Sequence, residues 1–151
     1  MKFMPLSPGS NMVERWAQLS SARRALLVEA VAGLGIAAAA VRLLPFKRAV
    51  RTGSAALARP ADPAQAAAFT ADVRWAVQAA AKRVPWRSVC FQQGIALQRM
   101  LRRRGVDARL HYGVGHVDEA RLGAHVWVSV GDQIVIGGEQ AASFRLLASF
   151  P

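Results

Sequence analysis

A single cysteine behind a proline-containing segment places the strongest constraint on how this chain can fold and act. Cys90 is the one cysteine among 151 residues, and Pro85 precedes it by five positions. Proline lacks a backbone N–H and clashes with the preceding helical turn, so a helix upstream must end before Pro85. Downstream, apolar residues recur at steps that predict a helix: Phe91, Ala96, Leu97, Met100 and Leu101. Cys90 is therefore expected at a helix N-terminus, where unpaired N–H groups and the helix dipole favour a thiolate.

A histidine on a later strand would complete the arrangement of a cysteine nucleophile and its base. The chain offers His111, His116 and His125. Residues 124–130 alternate, with valines on one face and His125 and Trp127 on the other, so His125 is predicted to lie in a cleft opposite a core face. His125 is the preferred partner of Cys90. The alternative is an inert structural cysteine and a half-buried histidine satisfied by other contacts.

The net charge and the cysteine content limit the kinds of partner that this chain is expected to bind and the compartment in which it is expected. The net charge is +11, and residues 1–60 hold 9 of the 20 basic but 2 of the 9 acidic residues. Such an excess suits nucleic acid, an anionic membrane surface or an acidic peptide. No helix-turn-helix, aromatic platform or metal-ligand spacing is visible, so neither nucleic-acid binding nor a metal site is expected. A single cysteine excludes an internal disulfide and requires no oxidising compartment, so we expect a cytoplasmic protein.

The first 60 residues predict a helical segment that ends in a basic connector. Ser20 or Ser21 can cap a helix over residues 22–44, which Pro45 closes. The uncharged run between Glu29 and Arg42 is 12 residues long, whereas a membrane span needs about 20. We therefore expect a helix packed on the domain or on a partner, with a helix lying at a membrane surface as the alternative. Residues 46–62 are expected to form the connector.

The remaining residues, 61–151, predict one domain of helices followed by a small antiparallel sheet. Asp62 caps a helix that ends near Arg83, and the Cys90 helix runs to about Arg104 with Gly105 as its left-handed cap. Arg102, Arg103 and Arg104 either complement the dipole of that helix or form a docking patch for an acidic partner. Strands are predicted over residues 108–114, 124–130 and 133–136, with a loop over 115–122 and a hairpin turn at Gly131-Asp132. The fold class is α+β.

Two motifs together resemble a known family. Residues 84–114 read Val-Pro-Trp-Arg-Ser-Val-Cys-Phe-Gln-Gln-Gly-Ile-Ala-Leu-Gln-Arg-Met-Leu-Arg-Arg-Arg-Gly-Val-Asp-Ala-Arg-Leu-His-Tyr-Gly-Val, and residues 123–128 read Gly-Ala-His-Val-Trp-Val. Both are similar to the leader peptidases of lasso-peptide biosynthesis, which are transglutaminase-like cysteine proteases. Residues 42–48 also resemble the N-terminal helical segment of that family. The resemblance covers most of the chain from about residue 15.

The resemblance implies a papain/transglutaminase-like fold, with Cys90 as nucleophile and His125 as general base. It implies that the substrate is a precursor peptide, cut between leader and core, and that a separate macrolactam cyclase then closes the ring. The chain is similar to the stand-alone protease of this family, so a separate leader-recognition protein is expected as partner. No cofactor is implied, and contact with a membrane surface is possible but not favoured.

The third catalytic residue is where this chain departs from the family, which usually has an Asp at the position of Gly137. Asp132 lies at the hairpin tip, about 20 Å from His125 at ~3.3 Å per residue, too far for a hydrogen bond. A bulge at Gly137-Gly138 would turn Glu139 towards His125. Otherwise a backbone carbonyl or an amide side chain would hold the imidazole.

Stabilisation of an oxyanion would need the Cys90 N–H and a second donor. Trp86 Nε1 and the amides of Gln92 and Gln93 are the candidates, although Trp86 equally suits packing.

Two other functions stay open. An acyltransferase would use the same Cys–His pair with an amine as acceptor. A non-catalytic basic adaptor would bind an acidic peptide or a membrane surface, and its activity would fall with salt.

Overall fold

The computed structural model describes residues 12–118 and 120–151, which form helices followed by an antiparallel sheet. The predicted α+β class is confirmed. In chain order the elements are α1 (Met12–Ala17), α2 (Ser21–Leu43), α3 (Phe46–Arg51), α4 (Pro63–Ala81), α5 (Cys90–Arg102), β1 (Ala108–Asp118), β2 (Arg121–Val130), β3 (Gln133–Ile136), α6 (Gly138–Ala141) and β4 (Arg145–Phe150).

The predicted helix boundaries are confirmed at their caps. Ser20 Oγ accepts a hydrogen bond from the Arg23 N–H at the start of α2. Asp62 Oδ1 accepts one from the Gln65 N–H at 2.9 Å, with Pro63 as the first residue of α4. These side chains satisfy N–H groups that have no partner within the helix. Gly105 follows α5 with a φ of +77°, the left-handed conformation expected of a helix C-cap.

The sheet has the strand order β3-β2-β1-β4, and its pairs are antiparallel. The hairpin turn at Gly131-Asp132 is confirmed, since Val130 pairs with Gln133. The predicted loop over residues 115–122 is wrong, because β1 continues to Asp118 and β2 begins at Arg121. Most side chains of this hairpin arm are exposed. Its two strands therefore pair through the backbone but lack the alternation of apolar residues that predicts a buried strand.

Four elements were not predicted, α1, α3, α6 and β4, and the contacts of α3 and β4 show why these two were missed. Residues 46–51 were assigned to the connector, but Phe46 packs against Phe91 and Tyr112 with ring centroids 5.5 and 4.7 Å apart. The C-terminal tail was expected only to pack down, whereas it pairs with β1, and Leu110 lies opposite Phe150. Both elements depend on partners distant in sequence, which local periodicity does not reveal.

One hydrophobic core joins α2, α4 and α5 to a single face of the sheet. Helix α5 lies on the face that carries Val126 and Val128: a Cβ placed on Gly94 would lie 2.8 Å from Val126 Cγ1. The opposite face carries His111, His125 and Trp127, because neighbouring strand residues point to opposite sides. The division of the chain at residue 60 stays a prediction, although buried residues on both sides of that boundary share the core.

The arginine cluster that follows the Cys90 helix is largely engaged within the protein. Arg102 donates to the Ala55 carbonyl and to Asp107, both at 2.8 Å. Arg104 forms a two-point ion pair with Glu29 of α2. Arg103 is exposed. A docking patch for an acidic partner would therefore have to break internal contacts at two of its three cations.

Helix α2 is long and apolar enough, by length and composition alone, to cross a membrane. Its most apolar window of 18 residues has a mean hydropathy of 1.9, a test that core helices of soluble proteins also pass. Only 22% of that window is buried, however, so α2 is not a core helix of the ordinary kind.

Candidate active site

Cys90 is the first residue of α5, as predicted, and its side chain is partly exposed. Val89 is the N-cap, with extended backbone angles of −90° and 172°. The Val89 N–H donates to Gln92 Oε1 at 2.7 Å, and Gln93 Nε2 donates to the Ser88 carbonyl at 3.1 Å. The two glutamines therefore fix the segment that leads into the cysteine, which positions the thiol at a helix end with free backbone donors.

The three oxyanion candidates have other contacts in the structure. Trp86 is 36% exposed, and the edge of its ring faces Gly35 of α2, where an added Cβ would lie 3.8 Å from Trp86 Cη2. This contact supports the packing role of Trp86. Gln92 and Gln93 bond to the Ser88-Val89 backbone as described above. A role for Trp86, Gln92 or Gln93 in stabilising an oxyanion stays a prediction.

His125 is buried in β2, and its Nε2 lies 2.8 Å from the Gly137 carbonyl oxygen. A carbonyl can only accept, so Nε2 must carry the hydrogen. The neutral imidazole then has its lone pair on Nδ1, which is the atom able to act as a base. The ring stacks near Trp127 at 6.1 Å and contacts Phe144 at 5.0 Å.

The residue that holds His125 is Gly137, through its backbone, and Glu139 is not placed there. Glu139 is exposed in the first turn of α6. The predicted bulge at Gly137-Gly138 is also displaced, since the irregularity falls earlier, where Val128 pairs with Ile136 and Ser129 with Ile134. The alternative of a backbone carbonyl therefore describes the structure, and the carboxylate prediction does not.

Gly137 adopts a backbone conformation that a side chain would oppose. Its φ is +79°, and an added Cβ would lie 2.6 Å from the Val126 carbonyl oxygen. A left-handed conformation already disfavours residues with a Cβ. An aspartate at this position would therefore not fit the local backbone, and the chain presents a carbonyl to the imidazole instead.

The structure places Cys90 and His125 on contacting elements but does not join their side chains. Val126 packs against Gly94 of α5, so His125, one residue earlier, points to the other face of the sheet. The hydrogen bonds found for the described histidines involve Gly137, Ser129 and Ser149. The pairing of Cys90 with His125 stays a prediction, and in this arrangement the imidazole would have to move to reach the thiol.

A second histidine shares the face of His125, which the sequence did not indicate. His111 stacks on Trp127 at 5.7 Å, and its Nδ1 and Nε2 each lie 2.8 Å from a serine oxygen, Ser149 and Ser129 respectively. Burial and the nearby Arg109 lower the pKa of His111. The pairing register of β1 and β2 sets His111 opposite Trp127. This register cannot be derived from the sequence of either strand alone.

The described residues supply no set of metal ligands at this site. No group of three His, Cys, Asp or Glu side chains within residues 12–118 and 120–151 could hold a metal ion. A cleft of about 500 Å³ is lined by Lys47, Arg51, Ser54, Phe150 and Pro151. Neither Cys90 nor His125 lines that cleft.

Comparison with known proteins gives one match. A family model described as the transglutaminase-like superfamily matches residues 30–149. This span includes most of α2, the helix that begins at Cys90 and nearly all of the sheet that carries His125. No curated protein and no solved structure shows significant similarity to the chain.

Proposed function

Because the chain belongs to the transglutaminase-like superfamily, whose members are typically cysteine peptidases or acyltransferases, we propose that it removes the leader from a ribosomally made lasso-peptide precursor. The observation that carries the proposal is the position of Cys90, a partly exposed thiol at the first residue of α5. A thiol at such a helix end is suited to nucleophilic attack.

The choice of substrate is supported by the two motifs around the site residues. Residues 84–114 and 123–128 resemble the leader peptidases of lasso-peptide biosynthesis. On this proposal the protein acts in the cytoplasm without a cofactor. A separate leader-recognition protein delivers the precursor, and a macrolactam cyclase uses the core peptide whose N-terminus has been freed.

The proposed reaction is acyl transfer to water. Cys90 Sγ attacks the scissile carbonyl carbon while its proton passes to His125 Nδ1, and the backbone N–H groups at the start of α5 stabilise the oxyanion. The C–N bond then breaks, and the imidazolium gives its proton to the departing amine of the core peptide. The leader remains as a thioester on Cys90. Water attacks this thioester while His125 accepts its proton, and the imidazolium then returns that proton to the departing Cys90 thiolate, so that the leader carboxylic acid, which ionises in water, and the free thiol are released.

This chemistry requires His125 to come within hydrogen-bond distance of Cys90. In the structure the imidazole is held by Gly137 on the sheet face opposite α5. The proposal therefore includes a repositioning of the His125 side chain before or during substrate binding.

A cleavage assay read by mass spectrometry tests the function. The protein is incubated with the precursor peptide encoded beside its gene, with and without the neighbouring leader-binding protein. We expect one cut between leader and core that is lost in Cys90→Ala and retained in His116→Ala, an exposed histidine on the hairpin arm. Circular dichroism would show that each variant is folded. Cleavage by Cys90→Ala at the wild-type rate would disprove the assignment of the nucleophile.

Alkylation of Cys90 tests whether His125 is its base. The rate of reaction with iodoacetamide is measured across pH for the wild type, His125→Ala and His111→Ala. A Cys–His pair predicts a rate at slightly acid pH that falls by about tenfold or more in His125→Ala. His111→Ala removes the other imidazole stacked on Trp127 and should leave the rate nearly unchanged. Equal rates in all three proteins would show that His125 does not pair with Cys90 in the free protein.

The superfamily also contains acyltransferases, so transfer to an amine is the second candidate. The same assay separates the two outcomes, since hydrolysis yields two fragments and transfer to an added amine yields an adduct of the leader. A non-catalytic adaptor is less well supported, because Arg102 and Arg104 are already bound within the protein.

A further inference from the structure

Helix α2 leaves several larger apolar side chains exposed, whereas its buried positions, apart from Leu34, carry only alanine or glycine. The buried positions are Ala30, Gly33, Leu34, Ala37 and Ala40. On the outside, Val28 is 60% exposed, Ile36 47% and Leu43 76%. A surface helix of a soluble protein normally carries polar residues on this side. We call the exposed apolar residues on the side of α2 away from the core its outer face: Ala25, Val28, Val31, Ala32, Ile36, Ala39 and Leu43.

The outer face of α2 carries no charge. Between Arg24 and Arg42 the one charged residue is Glu29. Its carboxylate turns inward and pairs with Arg104 of α5. Exposed apolar area of this extent on one helix marks a surface that is covered when the protein functions. Among the described residues, nothing covers it.

Basic side chains lie at the C-terminal end of the outer face and indicate that the surface covering it is anionic. Residues 15–61 contain 8 basic residues and a single acidic one, Glu29, which is already paired. Arg42, Lys47 and Arg48 are exposed where α2 ends and α3 begins. Leu44 and Phe46, 39% and 40% exposed, extend the apolar surface among these cations. An apolar stripe bordered by cations complements the acyl boundary and headgroups of an anionic bilayer.

We infer that the outer face of α2 docks onto an anionic membrane surface, with the helix lying along that surface. Ala30, Leu34 and Ala37 hold the other side of α2 in the core with α4 and α5, so only one side is free to enter lipid. A crossing helix would need lipid on all sides and would have to leave this core. The 23 residues of α2 would give a contact about 35 Å long at 1.5 Å per residue.

Vesicle sedimentation with the full chain tests this inference. Wild-type protein is mixed with vesicles of phosphatidylcholine alone or of phosphatidylcholine with phosphatidylglycerol. We expect sedimentation with the anionic vesicles, and a loss of affinity of about tenfold or more in Val28→Ser/Ile36→Ser/Leu43→Ser. The matched control is Leu122→Ser/Leu146→Ser/Leu147→Ser, three leucines that are 70%, 51% and 56% exposed on the sheet. This control should bind like the wild type.

The cations are tested by Arg42→Gln/Lys47→Gln/Arg48→Gln. Each removed charge should weaken binding to the anionic vesicles by about fivefold, and added salt should weaken wild-type binding in the same direction. Folded wild-type protein that stays in the supernatant with anionic vesicles would overturn the inference. So would equal binding by the α2 triple variant. Self-association that depends on the outer face, without vesicle binding, would instead make it a protein interface.

Discussion

At the scale of single residues, a backbone carbonyl rather than a carboxylate holds the histidine of the site. A carboxylate beside an imidazole fixes its tautomer and also stabilises the imidazolium formed when it accepts a proton. The Gly137 carbonyl, 2.8 Å from His125 Nε2, fixes the tautomer but supplies only a dipole.

Replacing Gly137 by aspartate should destabilise the protein, although it would bring a carboxylate to this position. The new Cβ would lie 2.6 Å from the Val126 carbonyl oxygen in a backbone with φ +79°. We expect Gly137→Asp to lower the free energy of unfolding by about 1–3 kcal/mol, measured by urea denaturation. Gly131→Asp is the control, since Gly131 also has a positive φ but no atom within 4 Å of an added Cβ. A Gly137→Asp variant of wild-type stability would contradict this account of the backbone.

At the scale of elements, α2 is tied to α5 by an ion pair as well as by the core. Arg104 Nη1 lies 3.0 Å from Glu29 Oε1, and Nη2 bonds to the second carboxylate oxygen. The hydrogen bond from Arg104 is the main cause that lowers the pKa of Glu29, and burial opposes it. The pair joins the middle of α2 to the end of the helix that begins at Cys90.

The stabilisation from this ion pair should depend on pH with a definite sign. Because folding lowers the pKa of Glu29 from 4.5, the unfolded chain takes up the proton first as the pH falls. The contribution is therefore present above pH 4.5 and is lost as the pH falls through the folded pKa. Both side chains are partly exposed, so Glu29→Gln should destabilise by only about 0.5–1 kcal/mol near pH 7.

Urea denaturation of the wild type and Glu29→Gln at several pH values would check this sign. The difference between the two proteins should shrink as the solution is acidified. Asp118→Asn is the control, because the Asp118–Arg121 pair is 54% and 71% exposed and should contribute little. A difference that grows on acidification would show that Glu29 acts through something other than its charge.

At the scale of the whole molecule, buried residues from residues 1–60 and from residues 61–151 occupy one core. Leu34 and Val50 come from the first 60 residues, and Leu97, Leu110 and Val126 from the rest. A domain that folds by itself needs its own core. The packing therefore favours one cooperative unit over a separable N-terminal segment.

Mutations in either segment should shift one common unfolding transition. Leu34→Ala and Leu97→Ala each empty a fully buried site, and each should cost about 2–5 kcal/mol. Calorimetry should give a single peak whose calorimetric and van't Hoff enthalpies agree, displaced to lower temperature in both variants. Two peaks, with Leu34→Ala moving only one of them, would instead support a domain boundary near residue 60.

Several features of this protein follow from the sequence because they depend on neighbours along the chain. Caps at Ser20 and Asp62 depend on a side chain and an N–H three residues away. The position of Cys90 at a helix start follows from Pro85 and from apolar spacing downstream. The alternation of β2 separates His125 from Val126 whatever the rest of the fold does. Local geometry was enough to predict α2, α4 and α5, the β2–β3 hairpin and the candidate nucleophile.

Tertiary structure alone decided what those residues contact. The pairing of β4 with β1 and the packing of α3 depend on residues many positions apart. Strand alternation requires that His125 and Val126 point to opposite faces of the sheet. Only the packing of α5 shows that the helix covers the face that carries Val126. The partner of His125 is a backbone carbonyl at Gly137, set by a left-handed φ and by the end of β3. Every residue has a carbonyl, so no side-chain pattern marks this one, and only the folded backbone brings it to the imidazole.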